Sequence, residues 1–423
     1  MSKNILNAPE GMKSYLPKEA LKFYEIRDRI SRVFQNWGYE PVITPVLEYY
    51  ESLLTGMEQN TQKEFYKLID YDGNILSLRP EMTAPIARTV VNRREELSLP
   101  LRLSYFAPVF RYDNPQEGKN REIFQMGLEF IGGNSFGDAE AIITAIEAIK
   151  STGIEKFKLD LNHIGFLEGI VEELPLKGLQ EKKLKEYLGR KDFVGLRNYL
   201  DNIGLKQKEI IAQLPLLRGG IDILNKADDL ASTEASRKAV EKLKDIYEYL
   251  ESYKVEDYVN FDFSLIRGLN YYTGMIFEGF TENLGYTICG GGRYDNLIEQ
   301  YGGQKTPAVG FALGIQRIAL ALDYKGTSSI DGVVLLTEKT RSQALKLARR
   351  LHRKDYNIII EENNRSRDEL IKLAHQKNAA KIISIRETKS QKEAAEIEVL
   401  DTNSETAEKV VLKEGWEKKV WGK

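Results

Sequence analysis

The sequence predicts an α+β protein: an antiparallel sheet with helices packed on one side, a helical insertion within it, and a small α/β domain behind it. Three observations carry this. Period-two alternation recurs at ILSLRP (75–80), LRLSYFAPVFR (101–111), FKLDLNH (157–163), VNFDFS (259–264), MIFEGFTE (275–282) and YTICG (286–290). Residues 165–250 are instead rich in Lys and Glu and poor in strand patterns, with helical stretches such as EASRKAVEKLKDIYEYLESY. After the polar stretch DYKGTSS, the segments DGVVLLT, QALKLARRLHRKDY, NIIIEE, RDELIKLAHQKNAA and KIISIRE alternate strand and helix, which predicts a parallel sheet. The expected organisation is therefore one domain over 1–322, a linker at 323–330 and a second domain over 331–423.

The first helix carries its own punctuation. Pro17 opens it, Phe23, Ile26, Ile30, Val33 and Trp37 recur at steps of three and four, and Gly38 stops it. In YEPVITPVLEYY, which follows, Pro41 and Pro45 argue against a central strand and place the segment at an edge or an interface. Helices are expected at 138–152, stopped by Gly153, and around 312–323. The run GGGRYD after YTIC allows close backbone approach to a ligand or a tight turn between strands, and by itself favours the turn; it is neither a dinucleotide-binding glycine fingerprint nor a Walker loop.

With 42% hydrophobic and 29% charged residues, the composition is that of a globular protein. A formal net charge of −2 gives no global attraction to nucleic acid. No apolar run approaches the ~18 residues of a membrane span and the N-terminus lacks a signal pattern, so no membrane association and a cytoplasmic location are expected. The single cysteine, Cys289, reads as a buried structural thiol, and with only His163, His352 and His375 beside it no metal site is expected.

Charged residues inside strand-like apolar surroundings mark the candidate chemistry, because an uncompensated charge there is costly. They fall around Arg79 and Glu81, at Arg111, at Gln125 and Glu129, at Arg267 with Tyr271 and Tyr272, and at Arg293. Gln125 and Glu129 share one strand face and offer acceptors to an ammonium or an imidazole N–H. Arginines suit a carboxylate or a phosphate. Singly, each of these has a structural reading as an ion pair; as a set they suit an α-amino acid.

The segments APEGMKSYLP, GYEPVITPVLE, LRPEMTAPIAR, FRYDNPQEGKNREIFQ, RGLNYYTG, GGGRYDNL and AVGFALGIQR occur in one order over residues 8 to about 322. In that order they resemble the catalytic domain of the class II histidyl-tRNA synthetases. The resemblance implies a class II aminoacyl-tRNA synthetase-like sheet. It implies that Glu81, Thr83, Gln125, Glu129, Arg267, Tyr271 and Tyr272 contact histidine, with Arg111 joining them at the carboxylate. In synthetases Arg111 and Arg317 match arginines that hold ATP phosphates, and Arg267 matches the catalytic arginine. Departures gather on the ATP side: Asn114, Lys119, Glu122, Asn270 and Gln316 stand where that pattern has Arg, Arg, Gln, Asp and Glu, and Met82 replaces a Gly.

LRPEMTAPIAR, REIFQMGLEFIGG, and KDFVGLRNYL followed by LPLLRGGIDIL are more similar to the synthetase-like regulatory subunits of short-form ATP phosphoribosyltransferase. This resemblance implies a non-catalytic subunit of the first step of histidine biosynthesis, with no catalytic residue, cofactor or metal. It would bind L-histidine, activate the short-form catalytic subunit and mediate its feedback inhibition. It would be a homodimer through YEPVITPVLEYY within a hetero-oligomer, and would not bind tRNA. The competing implication is an active histidyl-tRNA synthetase.

Overall fold

The computed structural model describes residues 6–55, 61–112, 120–133, 136–176, 178–203, 208–266, 271–282, 284–322, 330–386 and 396–422. The chain divides into two compact units, Met1–Tyr324 and Lys325–Lys423. In the first, helix α1 (Pro17–Asn36) buries Phe23, Ile26, Ile30 and Phe34, with Val33 and Trp37 at the margin of that stripe. The chain reverses at Gly38, whose φ of +76° an L side chain would resist.

β1 (Glu40–Pro41), β2 (Leu47–Tyr49), α2 (Tyr50–Leu54), β3 (Lys67–Ile69), β4 (Ile75–Leu78), α3 (Thr83–Asn92), β5 (Leu101–Phe110), β6 (Glu122–Ile131), α4 (Gly137–Ser151) and β7 (Phe157–His163) follow. The expected helical insertion is α5 (Ile164–Glu172), α6 (Leu179–Gly189), α7 (Phe193–Asn202), α8 (Lys208–Gln213), the two-residue β8 (Arg218–Gly219), α9 (Asp222–Leu230) and α10 (Glu234–Tyr253). β9 (Val259–Asp262), β10 (Met275–Thr281), β11 (Cys289–Arg293), α11 (Leu297–Gln300), β12 (Ala308–Gly314) and α12 (Ile315–Ala321) complete the unit.

Among the described residues nine strands form one sheet in the order β1-β5-β6-β12-β11-β10-β7-β9-β8, and β2-β4-β3 form a small second sheet. The six central strands of the large sheet pair antiparallel, while β1–β5 and β7–β9 pair parallel. One large apolar cluster joins α1, α4, α10 and the sheet residues Leu128, Leu159, Phe277 and Phe311. Met82, Tyr105, Tyr271 and Tyr294 belong to a separate, smaller cluster. Strand alternation produces this division: one parity buries large apolar side chains under helices, and the other faces the cleft described below.

Two expectations are corrected here. The glycines of GGGRYD are not a turn but the body of β11, in the middle of the sheet. Residues 312–314, expected in a helix, end β12 instead. AVGFALG has no polar alternation, since both of its faces are covered, and so it gives no strand signal.

Arg79 is a structural pin. It is 3% exposed, and its guanidinium donates to the carbonyls of Thr44, Pro45 and Pro108 at 2.8, 3.1 and 3.0 Å, fixing the proline-bearing segment against β5.

The second unit contains β13 (Ile330–Leu336), α13 (Arg341–His352), β14 (Ile358–Glu362), α14 (Arg367–Gln376), β15 (Ala379–Ile385), β16 (Glu396–Asp401), β17 (Ala407–Val411) and α15 (Trp416–Trp421). Its sheet order is β14-β13-β15-β16-β17. Among the described residues only β14, β13 and β15 are parallel; β16 and β17 extend the sheet antiparallel, which corrects the expectation of a parallel sheet. Ile397 and Val399 are the inward residues of β16, too few among acidic neighbours to announce a strand. Among the described residues no helix is long and apolar enough to cross a membrane.

Candidate functional site

The cleft in the first unit owes its shape to residues without side chains. β6, β12 and β11 lie side by side, with Gln125 opposite Gly314, Gly127 opposite Ala312, Glu129 opposite Gly310, Gly290 opposite Ala312 and Gly292 opposite Gly310. All of these share one parity and therefore one face. A Cβ on Gly310 would fall 1.8 Å from Glu129 Oε2, one on Gly127 2.5 Å from the Tyr105 hydroxyl, and one on Gly292 2.8 Å from the Tyr272 ring. The glycine floor thus makes room for the polar groups that stand on it. The resulting cleft is lined by Glu81, Met82, Thr83, Tyr105, Arg111, Gln125, Tyr271, Tyr272 and Tyr294.

Of the residues anticipated from sequence, Glu81, Thr83, Arg111, Gln125, Tyr271 and Tyr272 come together on this wall. Glu129 does not line it. Glu129 lies just beneath, 1% exposed, accepting hydrogen bonds from Thr83 Oγ1 at 2.8 Å and from the Tyr294 hydroxyl at 2.5 Å. Burial pushes the Glu129 carboxyl up to about 8, against the two hydroxyl bonds and with a smaller push from the Glu81 charge. The group can therefore change charge near neutral pH.

Glu81 also has a local task. Its two oxygens accept the N–H groups of Thr83 and Ala84 at 2.6 and 2.8 Å, satisfying donors that open α3. Burial raises its pKa, while these N–H groups and Arg111 oppose the shift. Met82, 1% exposed, packs in the apolar cluster with Tyr105 and Tyr271 and narrows the cleft beside Glu81. Arg111 is steadied by donating Nε–H to the Pro80 carbonyl at 2.9 Å.

Near Arg111, Arg317 donates to the Thr287 carbonyl and hydroxyl at 2.7 and 3.0 Å. Its pKa is lowered by burial and then by the Arg111 charge, so the two arginines form one positive region. The Gln316 amide is held on the main chain of β6, accepting from Phe124 N–H at 2.9 Å and donating to the Glu122 carbonyl at 3.1 Å. A carboxylate could not make the second bond. Arg267, Asn270, Asn114 and Lys119 lie outside the described residues, as does most of the expected linker.

Tyr105 and Tyr294 were missed as site residues. Tyr294 was in plain view after the three glycines, and the alternation of β5 already put Tyr105 on a strand. What was lacking was the pairing of Tyr105 with Gly127, a register set by the folded sheet. Among the described residues no three His, Cys, Asp or Glu side chains are grouped to hold a metal ion.

A family model described as histidyl-tRNA synthetase matches residues 11–318. The chain is 49% identical over 406 residues to the ATP phosphoribosyltransferase regulatory subunit of Halothermothrix orenii, covering 95% of this chain and 96% of that one. A solved structure from Bacillus halodurans C, titled an ATP phosphoribosyltransferase regulatory subunit/histidyl-tRNA synthetase, is 32% identical with a TM-score of 0.81, covering 90% of this chain and 98% of that one. Histidyl-tRNA synthetase from a Nostoc species, 22% identical with a TM-score of 0.82 over 98% of this chain and 99% of that one, shares the fold. With near-full coverage at 49% identity on a synthetase-like fold, the chain belongs to the histidyl-tRNA synthetase-like family of ATP phosphoribosyltransferase regulatory subunits.

Proposed function

We propose that this chain binds L-histidine in the glycine-floored cleft, performs no chemistry itself, and conveys histidine concentration to a short-form catalytic subunit of ATP phosphoribosyltransferase. One observation carries the reading: Glu81, Thr83, Arg111, Gln125, Tyr271 and Tyr272 converge on one cleft, while Gln316 is committed to the β6 main chain. In this reading Gln125, Thr83 and Glu81 meet the ammonium, Arg111 and Arg267 the carboxylate, and Tyr271 and Tyr272 the imidazole, with the Glu129 carboxyl beneath it. Histidine then acts by binding one state of the complex better than another. The test is to mix the protein with a short-form catalytic subunit and follow phosphoribosyl-ATP formation across a histidine titration. Activation on mixing and inhibition by histidine are expected; equal rates with and without this chain, where the two associate, would refute it.

No histidyl-adenylate is expected. Pyrophosphate exchange dependent on histidine reads that step, and a strong signal at catalytic protein concentration would favour the synthetase instead.

Glu129 gives histidine binding a pH dependence. The ligand-free carboxyl is protonated below about 8, whereas an imidazole N–H or a cation held above it favours its ionised form. Affinity should therefore rise as pH increases from 7 to 8, by up to about tenfold per unit. The ligand's imidazole, titrating near ~6.5, contributes little in that window. Calorimetric titration at several pH values checks this, with Glu129→Gln expected to flatten the profile.

Homodimerisation is supported by the apolar exposure of the proline-bearing segment, where Ile43 is 94% and Tyr49 61% exposed. Obligate interfaces bury more than ~2,000 Å². Sedimentation at micromolar concentration should give a dimer.

A further inference from the structure

We propose that Arg293 is a positioning residue for the cleft and the clamp that ties its tyrosine-bearing segment to the helical insertion; the part that concerns histidine rests on the site reading above. In β11 the parity that puts Gly292 under Tyr272 turns Arg293 to the opposite, helix-covered face. There Nε and Nη2 donate to Asp138 Oδ1, in the first turn of α4, at 2.8 and 2.7 Å, and Nη1 to Asp295 Oδ1 at 3.1 Å. Asp138 is only 7% exposed, and burial raises its pKa against the pull of Arg293. Without the guanidinium, two neighbouring carboxylates would be left with no cation between them. A planar fork can serve both at once, which an ammonium cannot.

The main chain that the guanidinium anchors at Arg293 also holds the segment that carries the cleft tyrosines. Its carbonyl accepts the Thr273 N–H at 2.7 Å, and Thr273 Oγ1 accepts the Asp295 N–H at 2.9 Å. Gly274 lies so close that a Cβ there would meet Arg293 Cδ at 2.9 Å. From the other side the Gly274 carbonyl accepts the N–H of Ile164, the first residue of α5, at 3.0 Å. The four residues from Tyr271 to Gly274 thus have two tyrosines in the cleft wall at one end and an anchor for α5 at the other, with Arg293 gripping the middle. A shift of the tyrosines on ligand binding is passed to the start of α5 through the Thr273 and Gly274 main-chain bonds.

Hydrogen exchange on the ligand-free protein is the first test. Arg293→Met should speed exchange about tenfold or more at residues 271–274 and at Ile164, and Arg293→Lys, which keeps a cation beside Asp138, should restore part of the protection. Unchanged exchange at both places overturns the proposal. In the second arm L-histidine is titrated. Wild type should bind it and gain protection at the start of α5, and Arg293→Met should bind about tenfold more weakly and lose that gain. Wild-type affinity and wild-type α5 protection in Arg293→Met overturn the clamp. If wild type takes up no histidine, the site reading fails, and the first arm still decides the positioning role. Asp138→Asn, which weakens the same pair with little change of shape, serves if Arg293→Met does not fold.

Discussion

Glu129→Ala is expected to weaken L-histidine binding by about 2–5 kcal/mol, the range for losing one partner of a buried charged contact. The loss has two sources. Glu129 is the acceptor for both the Thr83 and the Tyr294 hydroxyl, so its removal leaves the buried Tyr294 donor unpaired and unfixes two groups of the cleft wall. It also removes the one carboxylate beneath the proposed imidazole position. Glu129→Gln keeps the volume and one acceptor, so it should retain the fold and lose mainly the charge-dependent part. Calorimetric titration of both variants, with thermal unfolding alongside, separates these contributions. Unchanged affinity in Glu129→Ala would place the histidine site elsewhere.

Arg79→Met should destabilise the first unit by about 3–5 kcal/mol, since it strands three carbonyls at roughly 1–3 kcal/mol each with partial relief from relaxation. These carbonyls, of Thr44, Pro45 and Pro108, have Arg79 as the donor joining them across two segments. Arg93→Met is the control. Arg93 is 59% exposed and pairs with Glu96 one turn away, so its loss should stay within about 0.5 kcal/mol. Urea unfolding of both variants makes the comparison, and a loss below about 1 kcal/mol for Arg79→Met would show that the freed carbonyls are rehydrated. Because Arg79 holds the segment proposed to dimerise, the variant should also dissociate at higher protein concentration than wild type.

Arg79 and Glu81 show how far a sequence reading of charge can go. Both were singled out because charge in apolar surroundings needs a partner, and both have one. For Arg79 the partners are backbone carbonyls, and for Glu81 they are backbone N–H groups. Sequence identifies the residue that needs compensation but not the group that supplies it.

By itself the sequence determined the α+β class, the capped first helix, the helical insertion and the shared face of Gln125 and Glu129. Each of these depends on a local period of two or three to four residues, or on a punctuating proline or glycine. The ordered motifs further determined the family. Only the tertiary structure decided that Gly290 and Gly292 of β11 belong to the floor, that Tyr105 and Tyr294 line the cleft, that Glu129 lies below the wall, and that Gln316 is tied to β6. Those facts depend on strand register and on contacts between residues far apart in the chain. A glycine reads alike in a turn and in a close-packed strand until the neighbour that would meet its Cβ is in place.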